Sequence, residues 1–295
     1  MSSTISDRLR ALGVQIGARD LKSTRPSHPA SLEETLGGTY IQTAHGEAFV
    51  VETRYSANTK RGESALQITA SLEILADWAS EPRLRRLPPQ EIVFLDTETT
   101  GLSGGTGTYP FLIGAGRFEG EAFVLKQFFM PDPQAEIAQL DALEEFLAPA
   151  QALATFNGKA FDAPLINTRF ITQGIRSPLL DLAHVDLLHL ARRLWRDRLP
   201  SRTLPNLETQ ILGALRSEQD IPGWLIPQIY FDYLQSGDPS PLRNVFYHNA
   251  EDVVSLAALL NHMASLLNDP LNSGSRYAID LIAIAKLFES MGDMD

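Results

Sequence analysis

The chain has 295 residues, enough for one full domain with an appendage or for two modest domains. At 44% hydrophobic and 8% aromatic it can bury a sizeable core, and the absence of cysteine excludes disulfides and thiolate–metal sites and fits a reducing cytoplasm. The net charge of −11 argues against a simple electrostatic binder of polyanions, but 26 of the acids lie after residue 90, and carboxylates that hold divalent cations reverse the local field once loaded.

The N-terminus, MSSTISDRLRALGV, reads as a short helix over 4–13 and lacks the basic-then-apolar order of a secretory signal. A loop rich in Ser, Pro and Arg runs to about residue 35. TYIQTAHGEAFVVETRYS then gives two β-rich runs split at His45-Gly46, the pattern of a hairpin. LQITASLEILADWAS has helical spacing, and the prolines of EPRLRRLPPQ end it, so a boundary is expected near Pro88–Pro89. EIVFLD follows as a short apolar strand of the kind buried in a sheet centre. YPFLIGAGRF and EAFVLKQFFM, split at Glu119-Gly120, form a second hairpin. Residues 135–147 are helix, QALATFN a strand, FDAPLINTRFITQG a helix, and 179–265 mainly helix. No apolar run is long enough to span a membrane. The expected order is an N-terminal α+β extension at 1–88, an α/β domain with a mixed sheet flanked by helices at 89–265, and a C-terminal helix at 266–295. That last helix resembles the first helix of a tetratricopeptide unit and offers a surface to a protein partner.

Four acids stand out. Side chains two apart on a strand share a face, so Asp96 and Glu98 in FLDTETTGL sit side by side at the end of the buried strand. They repel unless neutralised, and hard divalent cations prefer such oxygen ligands. Asp162 opens the helix after the Asn157-Gly158-Lys159 turn, where the helix dipole alone accounts for an acid. Asp252 interrupts the apolar helix VFYHNAEDVVSLAALL, with Glu251 as a competing acid.

In this order, FLDTETTGL, FNGKAFD and YHNAED resemble the motifs of the DEDD 3′→5′ exonucleases of the ribonuclease H-like superfamily, over about residues 90–262. The resemblance implies a two-metal phosphodiester hydrolase using Mg²⁺ or Mn²⁺ on single-stranded DNA or RNA with a free 3′ end. It implies that Asp96 bridges both ions, that Glu98 and Asp252 bind one, and that Asp162 holds the other through water. Thr97, Thr99, Asn157 and Tyr247 are then candidate substrate contacts. The family has either His five residues before the last Asp or Tyr four before it. This chain has Tyr247 at five and His248 at four, the reverse of both. Residues i and i+4 share a helix face, so His248 is the expected base.

Other features have two readings each. GGTG at 104–107 lacks the following GK[ST] of a phosphate loop and reads as a turn. RRLWRDRLPSR at 192–202 either tracks a nucleic-acid backbone, with Trp195 stacking, or is a solvated face with Trp195 in the core. Asp186, read as helical between His184 and His189, has spacing that converges poorly on zinc. Two rival functions remain in view. VFLDTETT also resembles the nucleophile motif of haloacid-dehalogenase-like phosphatases, although that chemistry needs a second Asp where Glu98 stands. A non-catalytic scaffold that binds nucleic acid or protein is the other, and retention of all four acids argues against it.

Overall fold

The structure, a computed structural model, describes residues 30–101, 107–272 and 277–292. The helix expected at 4–13 lies outside them. Where a loop was expected up to residue 35, a five-residue helix, α1 (Leu32–Leu36), starts early. Ser31 and Glu34 cap it reciprocally, a signature readable in the sequence.

Seven strands form one mixed sheet. In chain order they include β1 (Thr39–Thr43), β2 (Gly46–Ser56), β5 (Ile92–Thr99), β6 (Pro110–Glu119), β7 (Ala122–Phe129), β8 (Ala152–Thr155) and β9 (Ala183–Asp186). Their spatial order is β1-β2-β7-β6-β5-β8-β9, and the two-residue strands β3 (Lys60–Arg61) and β4 (Ser64–Ala65) form a separate ribbon. Both expected hairpins are present. β2 also pairs with β7 from Phe49↔Phe129 to Ser56↔Ala122, so the N-terminal extension supplies the two strands at one edge of the sheet. β5 is the seam: antiparallel to β6 on one side, parallel to β8 on the other.

Alternation along β5 divides the core. Ile92 and Phe94 face the long helix α8 (Leu242–Asn268), packing with Val253, Val254 and Leu256. Val93 and Leu95 face the opposite layer, α3 (Glu136–Leu147) and α4 (Asp162–Thr172), packing with Leu143, Ile166 and Phe170. The α8 face carries further helices: α2 (Glu73–Ala79), α5 (Leu187–Trp195) and the C-terminal α9 (Ala278–Met291), whose Ile284 and Leu287 enter the same core. The short α6 (Leu204–Leu207) runs into a single π turn at Glu208–Leu212, and α7 (Ile226–Ser236) precedes α8.

Helix α8 lies unusually close to the sheet. A Cβ on Gly114 of β6 would fall 2.2 Å from Asn249 Oδ1, and one on Gly116 would fall 2.9 Å from Val253 and 2.4 Å from Phe123. A larger residue at either position would have to displace those side chains. The stretch 179–265 is less helical than expected. It includes β9, so Asp186 ends a strand and caps α5 through the Leu188 N–H rather than sitting inside a helix. No described helix is long and apolar enough to cross a membrane.

Candidate metal centre

The alternation that sends Phe94 toward α8 sends Asp96 and Glu98 the same way, at the end of β5 where its apolar residues run out. The sheet supplies one pair of acids, and the helices on its two faces supply the others. From α8, Asp252 and His248 lie one turn apart, with His248 Nε2 3.5 Å from Asp252 Oδ2. One oxygen or nitrogen each from Glu98, His248 and Asp252 lie within 4.8 Å of one another, the one such group found among the described residues. From the other face, Asp162 opens α4, and its Oδ1 accepts a 2.5 Å hydrogen bond from Thr97 Oγ1. Thr97 points to the α4 side while its neighbours point to the α8 side, and so ties the fourth acid to the same strand end.

Crowding and burial act on these groups together. Burial first, then Asp252, Glu98 and Asp162 in turn, push the Asp96 carboxyl well above the carboxylate range, against the Nδ2 of Asn249 that donates to it at 3.1 Å. Glu98 is raised as far, by burial and then by Asp252 and Asp162. Asp162 is pushed up to about 6 by burial, with the Thr97 hydrogen bond opposing. Asp252 is raised by burial although Arg216 and His248 pull it down. Such a set is unfavourable at neutral pH without a cation to share. Its four acids offer carboxylate oxygens, in a chain with no thiols, and this chemistry fits a hard divalent ion with the His248 imidazole beside it.

Sequence reasoning missed what surrounds Asp252. Arg216 donates through Nη2 to Asp252 Oδ1, and it grips Glu208 with two bonds of 2.7 and 2.8 Å. Its Nη1 lies 3.5 Å from both Asp220 Oδ1 and His248 Nδ1. Glu208, buried on the π turn, accepts from Ser255 Oγ and lies 3.6 Å from Arg61, which also holds Glu251. Thus Glu251, the competing acid beside Asp252, is an ion-pair partner on another face. Asp220 Oδ1 lies 2.7 Å from His248 Nδ1. The signals were weak: an acid between Leu207 and Ile211, and Arg216 four residues before Asp220 in a stretch read as helix.

The other candidates are placed as follows. The Tyr247 hydroxyl accepts from the Ser217 N–H at 2.9 Å, and Thr99 Oγ1 bonds Gly101 O. Asn157 sits in the left-handed region at φ 67, its N–H and that of Lys159 donating to Asp186, so the buried Asp186 fastens the turn that leads to Asp162. His184 bonds Thr155 Oγ1 at 2.8 Å and is pushed down to about 4 by burial and Lys159, so the zinc reading of His184, Asp186 and His189 gains no convergent geometry. Trp195 is 1% exposed, so the stacking role is corrected to a core one. Arg198 pairs with Asp280 and Arg202 bonds the carbonyls of Leu199 and Pro200. Of the GGTG run, residues 104–106 lie outside the described residues.

Residues 93–264 match a family model described as the RNase_H superfamily. The chain is 37% identical over 207 residues to YprB of Bacillus subtilis (strain 168), an uncharacterised protein; the aligned stretch is 69% of this chain and 49% of YprB. The chain thus spans about half the length of this curated relative. A family B DNA polymerase from the archaeon Pyrobaculum calidifontis is similar in structure at a TM-score of 0.44 and 20% identity, over 67% of this chain and 27% of the polymerase.

Proposed function

Because the chain belongs to the RNase H superfamily, we propose that it is a divalent-metal-dependent nuclease, and within that class a 3′→5′ exonuclease acting on single-stranded nucleic acid. The observation that carries this reading is the meeting of Asp96, Glu98, Asp162 and Asp252 at one strand end, where Asp252 and Asp162 raise the proton affinity of both Asp96 and Glu98. The family match favours it over the phosphatase reading. When bound, Mg²⁺ or Mn²⁺ in a pair supplies Lewis acidity to an attacking water and to a leaving 3′ oxygen.

The chain's own groups do the rest. Asp96, Glu98 and Asp252 hold cations from the α8 side, and Asp162, steadied by Thr97, completes the cluster from the α4 side. His248 is the proposed base. Asp220 Oδ1, 2.7 Å away, accepts from its Nδ1–H, which leaves the lone pair on Nε2, the nitrogen nearest Asp252. Tyr247 carries its hydroxyl to the Ser217 backbone instead, which supports the choice of His248. Thr99, Asn157 and the Tyr247 ring are the proposed substrate contacts, and the reducing cytoplasm the proposed compartment. On α9, Ile279 and Ile282 remain exposed, the face a protein partner would meet.

The test is incubation with 5′-labelled single-stranded RNA and DNA in Mg²⁺, Mn²⁺ or EDTA. Shortening from the 3′ end with either ion and none in EDTA is expected. Full-rate degradation of a 3′-blocked strand would overturn the polarity, and full activity in EDTA the metal reading.

A further inference from the structure

Arg216 is out of place in a cleft built to attract cations. Its side chain is nearly buried, and its donors point at three acids of the protein: Glu208, Asp252 and Asp220. Glu208 grips it from behind with both carboxylate oxygens, while Ser255 and Arg61 hold Glu208 in turn. That anchor lies outside the four converging acids. Its fork is occupied by protein acceptors, which leaves it poorly placed to clamp a phosphate. On Asp252 it engages Oδ1 and leaves Oδ2, the oxygen nearer His248.

We propose that Arg216 is a resident counter-ion of the metal centre, a positioning residue that fixes which oxygen Asp252 presents and lowers the affinity for divalent ions to a reversible level. The proposal rests on the metal reading above. A cation held this close repels an incoming ion and cancels part of the acids' attraction. Removing a purely structural arginine would loosen ion binding or leave it unchanged. Removing a resident counter-ion tightens it.

The experiment is titration of the full chain with Mn²⁺ alone, free ion being read by electron paramagnetic resonance. Arg216→Gln should bind Mn²⁺ at least about tenfold more tightly than the unaltered protein. Arg216→Lys, which keeps the charge but cannot fork, should stay within about threefold. Glu208→Gln/Arg216→Gln, which replaces the buried ion pair with a neutral pair, covers the case in which the single variant fails to fold, and should tighten binding by less, because Glu208, the farther charge, is lost with Arg216. Equal or weaker binding in the neutral variants overturns the proposal while leaving the metal reading standing. No Mn²⁺ binding by the unaltered protein, or binding undiminished by Asp96→Asn, ends that reading and this one with it.

Discussion

Two buried Arg–Glu pairs sit on opposite faces of the sheet and differ in where they lead. Arg169 of α4 grips Glu136 at the start of α3, and both are under 5% exposed. Gln173 adds a second donor to Glu136, and Tyr109 lies 4.1 Å under the guanidinium. That cluster satisfies itself and leaves no acid over; it joins two helices. Arg216 grips Glu208 with the same fork but also reaches Asp252, and through Asp220 it borders on His248. Beyond it stand Asp96, Glu98 and Asp162, which no described cation pairs with. A buried ion pair is a joint when its acids balance it and part of a working site when acids are left over.

The comparison is broken most forcefully at Asp96. Asp96→Ala should cut nuclease turnover by roughly three orders of magnitude, since several kcal/mol of charge stabilisation are withdrawn. The metal-free variant should melt no lower than the unaltered chain, because one of several crowded acids is gone. Unchanged turnover in the purified variant would remove Asp96 from the chemistry. On the other face, Glu136→Ala should cost about 3–5 kcal/mol in denaturant unfolding by stranding Arg169, with turnover per folded molecule unchanged. A loss of turnover at full stability would mean that the first pair is no mere joint. His248→Ala should lower kcat by about a hundredfold with Mn²⁺ affinity little changed, whereas Tyr247→Phe should do little. The opposite ranking would exchange their roles.

The smallest effect is pH-dependent and separates the two faces without mutation. The Asp162 carboxyl is raised from 3.8 to about 6 in the folded chain, and Asp96 and Glu98 are raised further. Between the unfolded and folded values the folded chain binds more protons, so stability falls as pH rises through roughly 4–6 and beyond. The metal-free protein should therefore melt several degrees lower at pH 7 than at pH 5, and Mg²⁺ or Mn²⁺ should recover the difference. A flat profile in EDTA would mean that the acids do not crowd one another.

Much of this was legible in the sequence because it is local. The β5 acids follow from strand alternation, Asp252 from an acid among Val253, Val254 and Leu256, and both hairpins from their turn residues. Asp186 was misread because HVDLLHL has helical spacing, while a four-residue strand beside β8 is decided by tertiary pairing. Arg216 and Glu208 escaped notice because their meaning lies in contacts across 36 and 47 residues, to Asp252 and Ser255, which no spacing rule records. Trp195 could be read either way until its neighbours were known.

Gly114 and Gly116 make room for the Asn249 and Val253 side chains of α8. That packing bears on the gap between the acids of β5 and Asp252 of α8. A gap of fixed width selects by radius: Mg²⁺ sits about 2.1 Å from its oxygens, and Ca²⁺ about 2.3–2.6 Å. One carbon added at position 114 must displace the Asn249 amide that steadies Asp96, and if α8 moves out with it, a cleft that holds a divalent ion should trade preference for the small ion for tolerance of the larger. The ratio of Ca²⁺ to Mg²⁺ affinity in Gly114→Ala, set against that of the unaltered chain, would record any such opening, and an unchanged ratio would free the glycine from that role.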